Sequence, residues 1–151
     1  MARPKKRYTI RDSQLSAAPA EMVMRRVLSP REWSQWQSEI LRIDGPEVIR
    51  EGDQVTGDAK LLGFEVQGRS DAKQVTDEVF VEDVIVGVRM VVTYEVRAVS
   101  GGTMITRTLE ANLPTGVAGR LLSSLLGMRL RRMQTRLLRD LSAQAEADAS
   151  G

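Results

Sequence analysis

The chain has 151 residues, of which 42% are apolar and 28% charged, with a net charge of +2. That composition fits one globular domain with a real core and excludes disorder. Cysteine and histidine are both absent. This excludes disulfides, thiolate zinc sites and a cysteine nucleophile, and it removes the usual general base and metal ligand. A metal site would rest on carboxylates alone, and no calcium-loop spacing appears, so no metal or cofactor is expected. No apolar run approaches the roughly 20 residues of a membrane span. The opening MARPKKRYTI is basic but lacks the apolar segment of a signal peptide, so a cytoplasmic location is the expectation.

In chain order, residues 1–7 read as a basic flexible tail. Tyr8 to Leu15 forms a first strand, with Tyr8 and Ile10 alternating with polar neighbours. Ser16-Ala17-Ala18-Pro19 starts a short helix that reaches Leu28, with Met22, Val23, Arg26 and Val27 at helical spacing. Ser29-Pro30 breaks it. A second short helix follows, PREWSQWQ, with Trp33 and Trp36 on one face, either as a core plug or as a gate over a ligand mouth. The period then changes to two. Strands are predicted over Ile40–Val48, Gln54–Leu62, Phe64–Arg69 and Val75–Glu82, with a polar turn at Ser70-Asp71-Ala72-Lys73. Asp83 to Gly87 is ambiguous between strand and bulge. Val88 to Val99 is the best strand of the chain. Ser100-Gly101-Gly102 is a hairpin turn, and Gly102 to Leu113 is the last strand.

From Thr115 to Leu141 a helix of about 40 Å is predicted. Leu122, Leu126, Leu130, Met133, Leu137 and Leu141 form its apolar stripe, and Arg129, Arg132, Arg136 and Arg139 a neighbouring flank. Gly116, Gly119 and Gly127 are costly in a helix interior. Either the first turns fray, or Gly119 on the stripe lets the helix close on a sheet, or the glycines make a flexible entrance or keep a cavity open. Residues 143–151 read as a disordered tail.

Strands joined by short turns pair antiparallel, and such a sheet has one apolar face. The long helix is the only large element able to cover it. The expected fold is therefore α+β: a curved antiparallel sheet of about seven strands wrapped around a long C-terminal helix, with two short helices between strands 1 and 2.

That order resembles the START-like (helix-grip, SRPBCC) superfamily, within it the polyketide cyclase/dehydratase-like branch. SAAPAEMVMRRVLSPREWSQWQSEI is similar to the branch's opening. REGDQV (Arg50 to Val55) is similar to its glycine-aspartate turn before a strand, and Gly101-Gly102-Thr103 with the following strand to its last hairpin. The likeness spans residues 8–142. It implies a helix-grip fold with a cavity between sheet and helix, in members that bind lipids, sterols, polyketides or hormones, some of which catalyse cyclisation or dehydration.

Side chains two apart share a face of a strand. The core-facing sets are then Val88, Met90, Val92, Tyr94, Val96 and Ala98; Ile105, Arg107, Leu109 and Ala111; and Val75, Asp77, Val79 and Val81. Asp77, Tyr94 and Arg107 become the polar candidates in an apolar space and the candidates for catalysis. Asp77 either pairs with Arg107 or is re-aimed outward by a bulge. Ligand contacts are expected from Trp33, Trp36, Ala59, Leu61, Phe64, Val66, Val79, Met90, Val92, Tyr94, Arg107, Leu122, Leu126, Leu130 and Met133. Val55 is a further lining residue, and Gly57 and Gly68 leave room.

Three functions remain open. The first is binding or carriage of a small hydrophobic ligand. The second is a cyclase or dehydratase whose base, without histidine, would be Asp77. The third is docking on an anionic membrane or acidic protein through Arg129, Arg132, Arg136 and Arg139. Charge is uneven in a way that bears on the third. Residues 1–11 hold five basic and no acidic residues, and 115–141 hold six arginines and one aspartate. Residues 12–114, with 11 basic and 17 acidic residues, are net −6. No aromatic residues interleave with the arginines to stack bases, so no nucleic acid partner is expected.

Overall fold

The structure is a computed structural model that describes the backbone of residues 6–113 and 117–151 and the side chains of 7–112 and 124–151. Most of the basic N-terminal segment lies outside the described residues. Lys6 and Arg7 begin strand β1 (Lys6–Ser16). Helix α1 (Ala20–Val27) follows, then a 3-10 helix (Pro30–Gln35) and strands β2 (Ile40–Asp44), β3 (Gln54–Leu61), β4 (Phe64–Val75), β5 (Val79–Val86), β6 (Val88–Val99) and β7 (Gly102–Leu113). The chain closes with α2 (Val117–Ser150). The seven strands form one sheet in the order β1-β7-β6-β5-β4-β3-β2, every pair antiparallel. This is the helix-grip fold.

Local chemistry explains the elements. In α1, Glu21 lies in the first turn and Arg25 and Arg26 in the last, which complements the helix dipole. Its buried side, Val23, Met24 and Val27, faces the core. Trp33 Nε1 donates to the Val27 carbonyl (2.9 Å) and ties the 3-10 helix to the end of α1. The β3–β4 turn is Leu62-Gly63, both with positive φ (51° and 84°), as a two-residue hairpin turn requires. Register shifts in β2 at Ile40/Arg42 and in β4 at Ala72/Gln74 bend the sheet.

Three sequence expectations about strands change, the first at Val75–Glu82, which is divided by a turn at 76–78 between β4 and β5. The turn expected at Ser70–Lys73 is interior to β4, where Ser70 and Ala72 point inward and pair across to Val84 and Glu82. Cross-strand pairing overrides the turn propensity of a Ser-Asp pair. The strand expected to reach Val48 ends at Asp44.

Helix α2 lies against β1, β7 and α1. Leu126, Leu130, Leu137 and Leu141 are buried on its inner side and Met133 is half-buried. Leu122 lies outside the described side chains, as does Gly119. Among the described residues a close approach occurs at another glycine, Gly127, where a Cβ would sit 2.8 Å from the Tyr8 hydroxyl.

The disordered tail expected at 143–151 is instead helix as far as Ser150. Ala145 is fully buried. Glu146 Oε1 accepts from the Ala17 amide (2.9 Å) and from the Ser142 hydroxyl (3.3 Å). Arg26 grips Asp148 with two bonds of 2.7 and 2.8 Å, which pulls the aspartate below the usual carboxylate range. Polar composition suggested disorder, but the partners lie far away in sequence. A chain ending at Ser142 should lose about 2–3 kcal/mol, a fall in Tm of roughly 5–10 °C at this size. Calorimetry checks it, and an unchanged Tm would mean the last turns contribute nothing.

Candidate functional site

The inner face of β3–β6 is apolar at Val55, Val84, Val86, Val88, Met90 and Val92, and Leu130 and Met133 of α2 close over it. Together with Trp33, Ile40, Ile43, Ala59, Leu61, Gly68 and Leu109 they line a cavity of about 130 Å³ that is partly open. Ser70, Glu82 and Arg107 also reach its wall.

Glu82 is the central polar group. It is only 6% exposed, and the Ser70 hydroxyl donates to its Oε2 (2.9 Å). Burial pushes its carboxyl up to about 7, against the opposing field of Arg107 and the bond from Ser70. Arg107 acts on it through that field. Its own donors are directed elsewhere: Nε donates to the Tyr94 hydroxyl (2.9 Å) and Nη1 to Gln134 Oε1 (2.7 Å). The guanidinium also lies 5.2 Å from the Tyr94 ring centre. Gln134 is fully buried and returns a bond from Nε2 to the Arg107 carbonyl (3.0 Å), with longer ones to Asp12 Oδ2 (3.3 Å) and the Ile10 carbonyl (3.4 Å). β1, β6, β7 and α2 are thus joined by one hydrogen-bonded network beside the cavity. Tyr94 is pushed up to about 12, chiefly by burial, and remains a neutral phenol. It stacks on Phe80 (6.0 Å between ring centres) and meets the edge of Trp36 (6.2 Å).

Several expected site residues take their place here, and others do not. Trp33, Ala59, Leu61, Met90, Val92, Arg107, Leu130 and Met133 line the cavity, as do Val55, Gly57 and Gly68. Tyr94, Trp36 and Leu126 are buried but lie behind the wall. Phe64 is 75% exposed on the β3–β4 turn, and Val66 and Val79 are half-buried away from the cavity.

Asp77 is the main correction. It is exposed on the β4–β5 turn and borders a separate surface hollow with Glu21, Glu47 and Glu78, so it cannot pair with Arg107. The physical reason is strand phase. β5 begins at Val79 and turns Phe80, Glu82, Val84 and Val86 inward. A one-residue slip exchanges the two faces of a strand, and here both faces carry comparable apolar residues. That alternation hid Glu82. Gln134 was hidden differently, as one polar residue within a leucine-rich helix face. Ala98, expected inside, is exposed at the end of β6.

A buried carboxylate titrating near neutrality can both accept and donate a proton within an apolar space. Among the described residues no cluster of carboxylates is placed to hold a metal ion. No helix among them is long and apolar enough to cross a membrane.

The profile of the family described as polyketide cyclase / dehydrase and lipid transport matches residues 7–146. The chain belongs to that family. No curated protein matches it in sequence. Solved structures share its fold at low identity. The Thermus thermophilus protein TTHA0849 has a TM-score of 0.77 at 18% identity, over 94% of this chain and 99% of that one. A Zhui aromatase/cyclase from a Streptomyces species has a TM-score of 0.74 at 12% identity, over 93% and 94%. A START superfamily protein from Mycobacterium smegmatis has a TM-score of 0.72 at 16% identity, over 92% and 97%.

Proposed function

We propose that this family member binds one small, mostly apolar molecule in the cavity and presents that molecule's carbonyl or hydroxyl to Glu82 and Ser70. The observation that carries the reading is the joint placement of an apolar wall and a buried, hydrogen-bonded carboxyl on one cavity. Apolar walls supply affinity and a few fixed polar groups supply orientation. Size narrows the class. A cavity of roughly 150 Å³ lined by apolar side chains takes up benzene, so the 130 Å³ here fits a single ring or a short branched chain. A fused polyketide or a long-chain lipid exceeds that volume and would extend out of the cavity or require its walls to move.

A panel of cyclic ketones, phenols and medium-chain acids, followed by calorimetric titration and thermal shift, tests the reading. Gly68 lines the cavity, and a Cβ there meets the Val86 side chain (3.5 Å) and the Ile85 carbonyl oxygen (3.7 Å) at ordinary contact distances. Gly68→Leu therefore fills the space without breaking the strand, and it should weaken ligand binding more than roughly tenfold with little change in Tm. Binding that survives a filled cavity would place the ligand elsewhere.

A second reading is acid–base turnover of the bound molecule, favoured by the near-neutral titration of Glu82. Abstraction of a proton beside a ligand carbonyl, or protonation of a departing hydroxyl, are the steps it suits. Loss of turnover with retained binding in Glu82→Gln would mark an enzyme. No product from the unaltered chain would leave carriage alone, and equal product from both chains would remove Glu82 from the reaction.

A further inference from the structure

The face of α2 turned away from the sheet is not used by the cavity. Leu125, Met128, Arg129, Arg132, Arg136 and Arg139 are all exposed there. At 100° per residue they fall within an arc of about 100°, along a length of about 21 Å. Leu125 and Met128 are 58% and 54% exposed at the head of the stripe. Among the described residues, the one carboxylate within ion-pair reach of these four arginines is Asp140, at 3.9 Å from Arg139. Arg131 borders the stripe and donates to the Tyr8 hydroxyl (2.8 Å), which fixes the helix beside β1. Lys6 pairs with Leu113, so β1 starts at the end of the sheet from which the chain enters α2, and Arg7 follows it there. By strand register, the β3–β4 turn carrying exposed Phe64 lies at that same end.

We propose that this face of α2 docks the protein on an anionic phospholipid surface. Charge complementarity and the apolar head together select that partner. A straight row of four arginines, of which only Arg139 has a carboxylate within reach among the described residues, meets a plane of lipid phosphates along its whole length, while Leu125 and Met128 enter the acyl boundary between headgroups. A purely acidic protein or a nucleic acid matches the arginines and leaves the two apolar side chains without a role. The inference does not depend on what the cavity binds.

The test is sedimentation of the full chain with vesicles of phosphatidylcholine, with and without phosphatidylglycerol. The chain should partition onto the anionic vesicles only, and partition should fall more than roughly tenfold as salt shortens the screening length. Arg132→Gln with Arg136→Gln should weaken it by roughly fivefold per arginine. Leu125→Ser with Met128→Ser should abolish the part that survives high salt. All four positions are exposed, so an unchanged Tm confirms that each variant is folded. Absence of partition by the unaltered chain overturns the proposal, as does equal partition onto neutral vesicles or full partition by the arginine variant. Salt-sensitive binding to duplex DNA or polyglutamate, with none to vesicles, overturns it in favour of those partners.

Discussion

Replacing Glu82 by glutamine should stabilise the protein at alkaline pH and flatten its stability between the carboxyl's ordinary value of 4.5 and its value of about 7 in the fold. The folded-state pKa is raised, so between those limits the folded chain keeps a proton that the unfolded chain has lost. Stability therefore falls as pH rises through the window. Below it both states are protonated and the group contributes nothing. Above it both are ionised, and the fold carries the full cost of a buried charge, on the order of 3 kcal/mol. Glutamine can still accept the Ser70 hydrogen bond and has no charge to bury. Urea unfolding at about pH 5 and about pH 8 should show the unaltered chain losing stability between them and Glu82→Gln losing much less. An unaltered chain that is more stable at the higher pH would mean that Glu82 is held ionised by Arg107, and its role as a near-neutral acid and base would fail.

Arg107→Ala should be the most damaging single change near the site. It removes the donors to Tyr94 and Gln134 and leaves both partners buried. It also removes the positive field that opposes further elevation of the Glu82 pKa. Breaking a buried charged network by deleting one member costs about 3–5 kcal/mol, a fall in Tm of roughly 10 °C for a chain of this size. The loss should be greater at high pH, where Glu82 ionises without its counter-field. Adding Glu82→Gln to Arg107→Ala should recover about 0.5–3 kcal/mol as coupling between the two sites. Strict additivity of the two changes would show that they do not sense each other across the cavity.

These two side chains show how far the chain can be read before it is folded. Arg107 was legible because β7 alternates without interruption from Thr103 to Ala111, and Ile105, Leu109 and Ala111 fix which face is inside. Val88–Val99 and Gly102–Leu113 were legible to the residue for the same reason, helped by the glycine turn between them. Glu82 was not, because Val79, Val81 and Ile85 on one face of β5 are as apolar as Phe80, Val84 and Val86 on the other. The phase of that strand is set by its pairing with β4 and β6, in which Glu82 stands opposite Ala72 and Val92.

The helix α2 divides in the same way. Its leucine period declared an amphipathic element and its inner face. Its last turns, Ala-Gln-Ala-Glu-Ala-Asp, carry no apolar period strong enough to declare a docked helix. They are held by Ala17, Arg26 and the burial of Ala145. Gln134 is polar in isolation and becomes a core residue because Arg107 and the Arg107 carbonyl meet its amide.

The sequence by itself therefore determined most of the elements, their antiparallel succession and the covering helix, since these follow from local periodicity and turn chemistry, while the superfamily was legible through the likeness of its motifs to those of known members. Only the tertiary structure decided which carboxylate reaches the cavity, how large that cavity is and where the chain's last turns dock. Each of these depends on strand phase or on contacts between residues far apart in the chain, and a local apolar pattern carries no information about either when both faces of a strand are equally apolar.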